Sequence, residues 1–552
     1  MRFYAGLKKG RVLLALVFFV ATLALFVDIY EYIGEATYAK ILWLQFVPSL
    51  LNFTQTLSLV AAGGFLVVLL LTWLTGRLYC STICPLGILQ DAINYVARKF
   101  SRKRVFFKYK KAKSVWRYSF LLVMTLALVA QLGFIVAWLD PYSIAGRFFS
   151  YLVEPVTTAI NNTLATWLQA AGNYSMHHVD LYHVDWLPLS LTLGLFVMIA
   201  LMAWKRGRFF CNVVCPVGTA LGLLSKKSLL QIQFKADQCT LCGKCAAVCK
   251  SECISIKNHT VDMSRCVTCF NCLEVCNDAA MLLGRVKGTN KARGQNAPTS
   301  AKKTPPTATV QATSQVLSAA KSQTEHSQQR RQLLLTGAAL MAGPGLYALK
   351  KNQLPESQHE LIRNERDYFP APPGAGSVER FNQICTACSL CVSACPTHVL
   401  QPSLTQYGLV GFMQPFMDYE TSYCNFDCHK CAEACPTGAI LPLPMEEKQR
   451  TQLGKVVFVK HNCIVHTDGT DCGACSEHCP TKAVKMVPYK NGLMIPEVDE
   501  SICIGCGACE YPCPVPAPFR AIYVNGNGKH VLANLPEEGE AATVSFEEDF
   551  PF

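Results

Sequence analysis

The chain has 552 residues, 51% hydrophobic and 16% charged, with 29 cysteines and a formal net charge of +13. That hydrophobic share excludes a disordered chain, and the length leaves room for several domains. No C-x-x-C-H and no GxGxxG after a strand is present, which argues against covalent haem and a nicotinamide or flavin domain.

Residues 12–30, 54–75, 118–139 and 187–204 are long apolar stretches, each able to cross a hydrocarbon core of about 30 Å. Residues 41–53 are shorter and contain Pro48, which suggests an interfacial or re-entrant segment. Ten Lys and Arg lie from Arg98 to Arg117, whereas residues 140–186 carry only Arg147. By the positive-inside rule, the N-terminus and everything directly after the fourth stretch face the cytoplasm of a multi-pass inner-membrane protein. The excess charge is thereby assigned to topology and anionic lipid, not to nucleic acid.

The second and fourth stretches end in the same words. Gly76-Arg77-Leu78-Tyr79-Cys80 through Cys84-Pro85-Leu86-Gly87 matches Gly207-Arg208-Phe209-Phe210-Cys211 through Cys215-Pro216-Val217-Gly218. The repeat predicts pseudo-symmetric two-span units. If the halves face each other, Cys80, Cys84, Cys211 and Cys215 meet in one four-thiol site, either a seventh iron–sulfur site or redox thiols beside a quinone pocket. The plainer alternative is small buried residues supporting a sharp turn.

Two C-x2-C-x2-C-x3-C groups follow, Cys239, Cys242, Cys245, Cys249 and Cys266, Cys269, Cys272, Cys276. Their spacing is that of [4Fe-4S] ligands, with the fourth cysteine of each run expected on the other cluster. Lys250 and Asn277 stand where such runs often carry proline. Residues 231–284 therefore read as a cytoplasmic two-cluster module behind a membrane domain of residues 1–230.

Residues 285–329, rich in Ala, Thr, Ser, Gln, Lys and Pro, read as a tether. Arg330-Arg331 then opens a modest apolar run ending at Lys350-Lys351, like a twin-arginine export signal retained as a fifth span. Residues 352–552 carry four more groups about forty residues apart, a compact polyferredoxin of internal repeats. They are Cys385, Cys388, Cys391, Cys395; Cys424, Cys428, Cys431, Cys435; Cys463, Cys472, Cys475, Cys479; and Cys503, Cys506, Cys509, Cys513. Zinc sites and disulfide frameworks do not repeat this spacing. The total is six [4Fe-4S] clusters. Which cysteine completes which cluster in the last four is left open.

Cys253 is unassigned and reads as a small packing residue. His177, His178 and His183, with Asp140, Asp180 and Asp185, could take protons from a quinol, but read better as solvated loop residues. The acidic end from Pro536 to Asp549 reads as a steering surface for a basic cytochrome or a solvated tail.

The fold class is thus membrane α-helical, with four to five spans, plus α+β ferredoxin-like modules organised around clusters. Residues 1 to about 285 resemble the NapH family of quinol dehydrogenase subunits and, more distantly, NosR-type and FixG/RdxA-type membrane proteins. The C-terminal part, with its four cluster motifs and Ala371-Pro372-Pro373-Gly374-Ala375, resembles the NapG/MauM family of exported ferredoxins. The resemblance implies a fusion of the two, an oxidoreductase component that takes electrons from the membrane quinone pool. A periplasmic cytochrome or reductase would receive them from a periplasmic C-terminal domain. The FixG and NosR likenesses leave two other readings, a metal-handling assembly factor and a redox regulator; exchange between quinone and a cytoplasmic donor is a further one.

Overall fold

The computed structural model describes residues 2–100, 107–180, 185–285 and 361–534. The chain divides into one compact unit, Met1–Val286 with Leu361–Phe552, and a second, Lys287–Glu360. The second unit, with the tether, Arg330, Arg331 and the proposed fifth span, lies outside the described residues, as do His183 and the acidic end.

The helical part comprises α1 (Arg2–Ala24), α2 (Glu35–Leu42), α3 (Phe46–Thr56), α4 (Leu59–Thr75), α5 (Tyr79–Thr82), α6 (Pro85–Phe100), α7 (Ser114–Val129), α8 (Gly133–Leu139), α9 (Pro141–Phe148), α10 (Glu154–Ala170), α11 (Trp186–Arg206) and α12 (Pro216–Ser225). Among the described residues, α11 is the one helix both long and apolar enough to cross a membrane. Helices α4 and α7 are apolar but shorter, at 17 and 16 residues.

The helices depart from the predicted apolar stretches for local reasons. Leu57 takes a left-handed conformation (φ 48°) and the Ser58 side chain accepts from the Val60 N–H, so α4 starts five residues into its stretch. The stretch 118–139 is broken at Gln131 (φ 55°), beyond which α8 begins. Asp140 is not a solvated loop residue: it is 1% exposed, and its carboxylate caps α9 by accepting from the Ser143 N–H at 2.9 Å.

The predicted repeat is also a repeat of backbone. Helix α4 ends at Gly76 (φ 81°) and α11 at Gly207 (φ 58°), the left-handed region that suits glycine. A tight turn follows each, α5 in one half and a π-helical turn, Phe210–Val214, in the other. Pro85 and Pro216 then open α6 and α12, positions where proline's missing N–H is harmless.

The first cysteine-rich module folds against this end. Strand β1 (Leu230–Phe234) pairs antiparallel with β4 (Met281–Arg285), enclosing the small pair β2 (Ile254–Ser255) and β3 (Thr260–Val261). A Cβ on Gly76 would lie 3.0 Å from Thr268 Oγ1, and one on Gly207 would lie 2.6 Å from the Lys250 carbonyl oxygen. Each half of the helical repeat therefore seats one half of the module.

The C-terminal module is three two-stranded sheets: β5 (Leu400–Pro402) with β6 (Pro415–Met417), β7 (Thr451–Phe458) with β10 (Ile522–Leu532), and β8 (Val484–Pro488) with β9 (Met494–Val498). It packs on the opposite ends of the helices. A Cβ at Gly133 would lie 2.4 Å from the Asn382 carbonyl oxygen, and one at Gly146 2.4 Å from that of Cys388. Arg147, fully buried, donates to the Ala387 and Ala137 carbonyls. Helix α1 links both ends: Lys8 pairs with Glu274 of the first module, while Phe26, just past its C-terminus, packs in one core with Cys388. Its 23 residues span about 34 Å.

Candidate functional site

The cysteines surround cages instead of converging on points. Among the described residues, no group of three or more His, Cys, Asp or Glu side chains is close enough to hold a single metal ion. Instead, an apolar cavity of about 20 Å³ is lined by Cys239, Cys242, Cys245 and Cys276. A second of about 20 Å³ is lined by Cys395, Cys424, Cys428 and Cys431, and one of about 30 Å³ by Cys463, Cys472, Cys475 and Cys513. Four thiols around an apolar void fit a multi-iron cluster better than a lone zinc ion.

The pairing left open above follows from these cages. Cys435 is among the thiols acting electrostatically on Cys385, Cys388 and Cys391, just as Cys395 acts on Cys424 and Cys431. Cys479 faces Cys503, Cys506 and Cys509, and Cys513 faces Cys463 and Cys475. The fourth cysteine of each run therefore lies with the adjacent group, first with second and third with fourth. In the first module, Cys249 faces Cys269 and Cys272. The Cys424 N–H donates to the Cys506 carbonyl at 2.9 Å, tying the second cage of the C-terminal module to the fourth group. The cages thus follow one another from the Cys385 cage, against the helices, to the Cys463 cage.

Cys253 does more than fill space. Its sulfur lies 3.5 Å from Cys249 Sγ, and it also interacts with Cys266. A thiol next to one cysteine of each run is the kind of contact that would tune a cluster bound there. Its offset of four from Cys249 was the only sequence signal.

Cys80, Cys84, Cys211 and Cys215 come together at the end of the helices that seats the first module. All four are buried and act on one another electrostatically. The arrangement has a pseudo-twofold axis: Arg77 donates to the Cys211 carbonyl at 3.0 Å and Arg208 to the Cys80 carbonyl at 2.5 Å. Gly87 and Gly218 mirror each other, since a Cβ on either would stand 2.3 Å from the Cys80 or Cys211 carbonyl oxygen. Gln90 Nε2 lies 3.3 Å from Cys211 Sγ, and the Gly218 N–H donates to Cys215 Sγ. Burial pushes the Cys84 and Cys215 thiols well up, reinforced by the neighbouring thiols.

One carboxylate binds this site to the first module. Asp91 on α6 takes Arg208 at 2.8 Å, Lys250 at 3.1 Å and Arg11 at 3.6 Å. Burial works to raise its pKa, but Arg208 and Lys250 overcome that and hold it well below the usual carboxylate range. The lysine in place of the usual proline at position 250 is therefore a tether. One continuous core holds Cys80, Cys84, Cys215 and Cys388, with Cys269 packed against it.

His177, His178, Asp180 and Asp185 are exposed. Three of them, His177, His178 and Asp180, line a cleft of about 640 Å³ between the helices and the C-terminal module.

The comparisons with known proteins agree with this chemistry. A family model described as a 4Fe-4S binding domain matches residues 57–104 and again 189–235, the two halves that hold the four buried thiols. Two models of 4Fe-4S dicluster domains match residues 384–440, which hold the first two groups, and 470–517, which hold the last two apart from Cys463. The chain is an iron–sulfur protein of the ferredoxin type. It is 37% identical over 142 residues to the methylamine utilization ferredoxin-type protein MauM of Methylophilus methylotrophus, 24% of this chain and 61% of that one. It is 25% identical over 229 residues to the ferredoxin-type protein NapH of Escherichia coli, 40% of this chain and 66% of that one. The putative electron transport protein YccM of the same organism is 24% identical over 253 residues, 44% and 62% of the two chains. The matches thus span under two thirds of these three relatives. No solved structure matches the chain.

Proposed function

We propose that this is a membrane-bound quinol dehydrogenase component, a NapH-like membrane part fused to a NapG/MauM-like ferredoxin, that passes electrons to a periplasmic redox partner. The observation that carries the reading is the placement of two cysteine-rich modules at opposite ends of one helical bundle. Outward-facing apolar residues on the long helices support immersion in lipid: Leu13 and Leu16 on α1, Leu66 and Leu70 on α4, Leu122 and Leu126 on α7, Leu193 and Leu201 on α11. In this reading these four helices span the inner membrane, the first module is cytoplasmic and residues 352–552 are exported by the twin-arginine segment.

Clusters, when bound, each supply one-electron acceptance, which suits the stepwise oxidation of a two-electron donor. The chain contributes the swapped ligands that chain the cages together and the helix contacts that fix the Cys385 cage at the bundle. The four buried thiols, bracketed by Arg77 and Arg208, belong to a seventh iron–sulfur site in this proposal. The Cys463 cage, last in the series, is the exit toward a cytochrome or reductase.

The test is protease accessibility of a C-terminal epitope in spheroplasts, comparing the native chain with Arg330→Lys/Arg331→Lys. Cleavage of the native chain alone supports export. Protection of both would place every cage in the cytoplasm and sink the periplasmic relay. Iron content of a variant with Cys80, Cys84, Cys211 and Cys215 all replaced by serine tests the seventh site; an unchanged content refutes it.

A further inference from the structure

The cleft noted above is built from three parts of the chain. The segment following α1 contributes Phe26, Val27 and Ile33; α10 contributes Glu154 and Thr158; the C-terminal module contributes Cys395 and Pro396. Cys395 also lines the cage of Cys424, Cys428 and Cys431, so one ligand residue separates cleft from cage. Apolar side chains past the end of α1, a carboxyl within, and a cysteine of a cage in the wall are what a quinol head group needs.

Glu154 is 7% exposed and held in place by the Ser393 hydroxyl, which donates to it at 2.5 Å, with the Ser150 hydroxyl 2.8 Å from that of Ser393. Burial pushes its pKa up to about 7, against the opposing hydrogen bonds from Ser393 and Ser150. A carboxyl of that kind is half ionised near neutrality and well matched to proton abstraction. Besides Cys395, the other titratable groups around the cleft are Asp28, Glu31 and Tyr38 beyond α1, His177, His178 and Asp180 in the outer loop, and His398, Tyr423, Lys430 and Tyr511 in the C-terminal module.

We infer that this cleft is the quinol site and that Glu154 is the base that takes a hydroxyl proton from the bound head group. The inference rests on the quinol reading above and deepens it. Oxidation breaks two O–H bonds and turns two C–O single bonds into carbonyls. One proton passes to the Glu154 carboxylate and the second to water on the open side, by His177 and His178. Cys395, Cys424, Cys428 and Cys431 would hold the iron–sulfur cluster that, when bound, would supply the oxidant for the two electrons, one at a time. Donor and relay then lie at the same end of the bundle, and no electron has to cross about 30 Å of hydrocarbon.

The test uses the intact, cluster-loaded chain in detergent. Photolabelling with an azido-naphthoquinone and peptide mapping is expected to mark residues 26–38, 154–158 or 177–180, and Val179→Trp is expected to abolish the label. In stopped-flow reduction by menadiol, Glu154→Gln should slow the wild-type rate about 100-fold and flatten its rise through pH 7, with Glu154→Asp recovering part of it. Iron content, measured on each variant, separates these effects from lost folding. Labelling elsewhere, or wild-type kinetics in both Glu154→Gln and Val179→Trp, overturns the site while leaving the quinol reading standing. Failure of menadiol and long-chain quinols to reduce the wild-type chain overturns the quinol reading, and the site with it.

Discussion

Replacing Asp91 by asparagine removes the carboxylate that faces Arg208, Lys250 and Arg11 at 2.8, 3.1 and 3.6 Å. The Arg208 side chain is wholly buried and that of Lys250 is 13% exposed, so water cannot replace the lost partner at Arg208 and does so only in part at Lys250. Removing one member of a buried ion pair costs roughly 3–5 kcal/mol. Partial exposure of Asp91, at 14%, argues for the lower end. About 3 kcal/mol corresponds to roughly two orders of magnitude, and if the module detaches before the transition state for cluster loss, most of it appears in that rate. The assay is the bleaching rate of cluster absorbance on mild heating in detergent, with iron content as the end point. Asp91→Asn should lose the clusters of the first module about 100-fold faster than the native chain. Adding Lys250→Met should recover part of the loss, because one unpaired cation goes with it. Wild-type kinetics in Asp91→Asn, or a double variant worse than the sum of the singles, would refute the role of Asp91 as the tether.

Swapped ligation makes a non-additive prediction. Cys435→Ser combined with Cys385→Ser should lose no more iron than Cys385→Ser alone, whereas Cys435→Ser with Cys424→Ser should lose about twice as much, about four irons per cluster; equal losses from the two pairs would rule out the swap. Gly146→Val puts a side chain 2.4 Å from the Cys388 carbonyl, at a cost of about 1–3 kcal/mol. With a protease site inserted between residues 287 and 360 and cut, residues 361–534 should stay bound in the native chain and dissociate in the variant. Burial lowers the pKa of His530 from 6.5 to about 4. A depressed histidine contributes stability that is present above pH 6.5 and lost as pH falls toward 4. The stability difference between the native chain and His530→Gln, measured by thermal denaturation at pH 7 and pH 5, should therefore shrink at the lower pH.

The iron–sulfur character of the chain was readable from residue order alone. Ligand spacing is local, so the cysteine runs, the Gly-Arg and Cys-Pro repeat, and the glycines that end α4 and α11 were all legible from residue order. Helix limits were less so. Hydropathy averages over a window, and it cannot register the left-handed turns at Leu57 and Gln131 that cut two apolar stretches short. Asp140 looked solvated because its cap partner, Ser143, carries no hydropathy signal. Tertiary structure decided what depends on residues far apart in the chain. These are the swap of Cys395 with Cys435 and of Cys479 with Cys513, the tie of Lys250 to Asp91, and the cleft that sets Glu154 beside Ser393. Each is a contact across a fold, fixed by the shape of the packed helices and sheets, and no local pattern in the chain encodes such a contact.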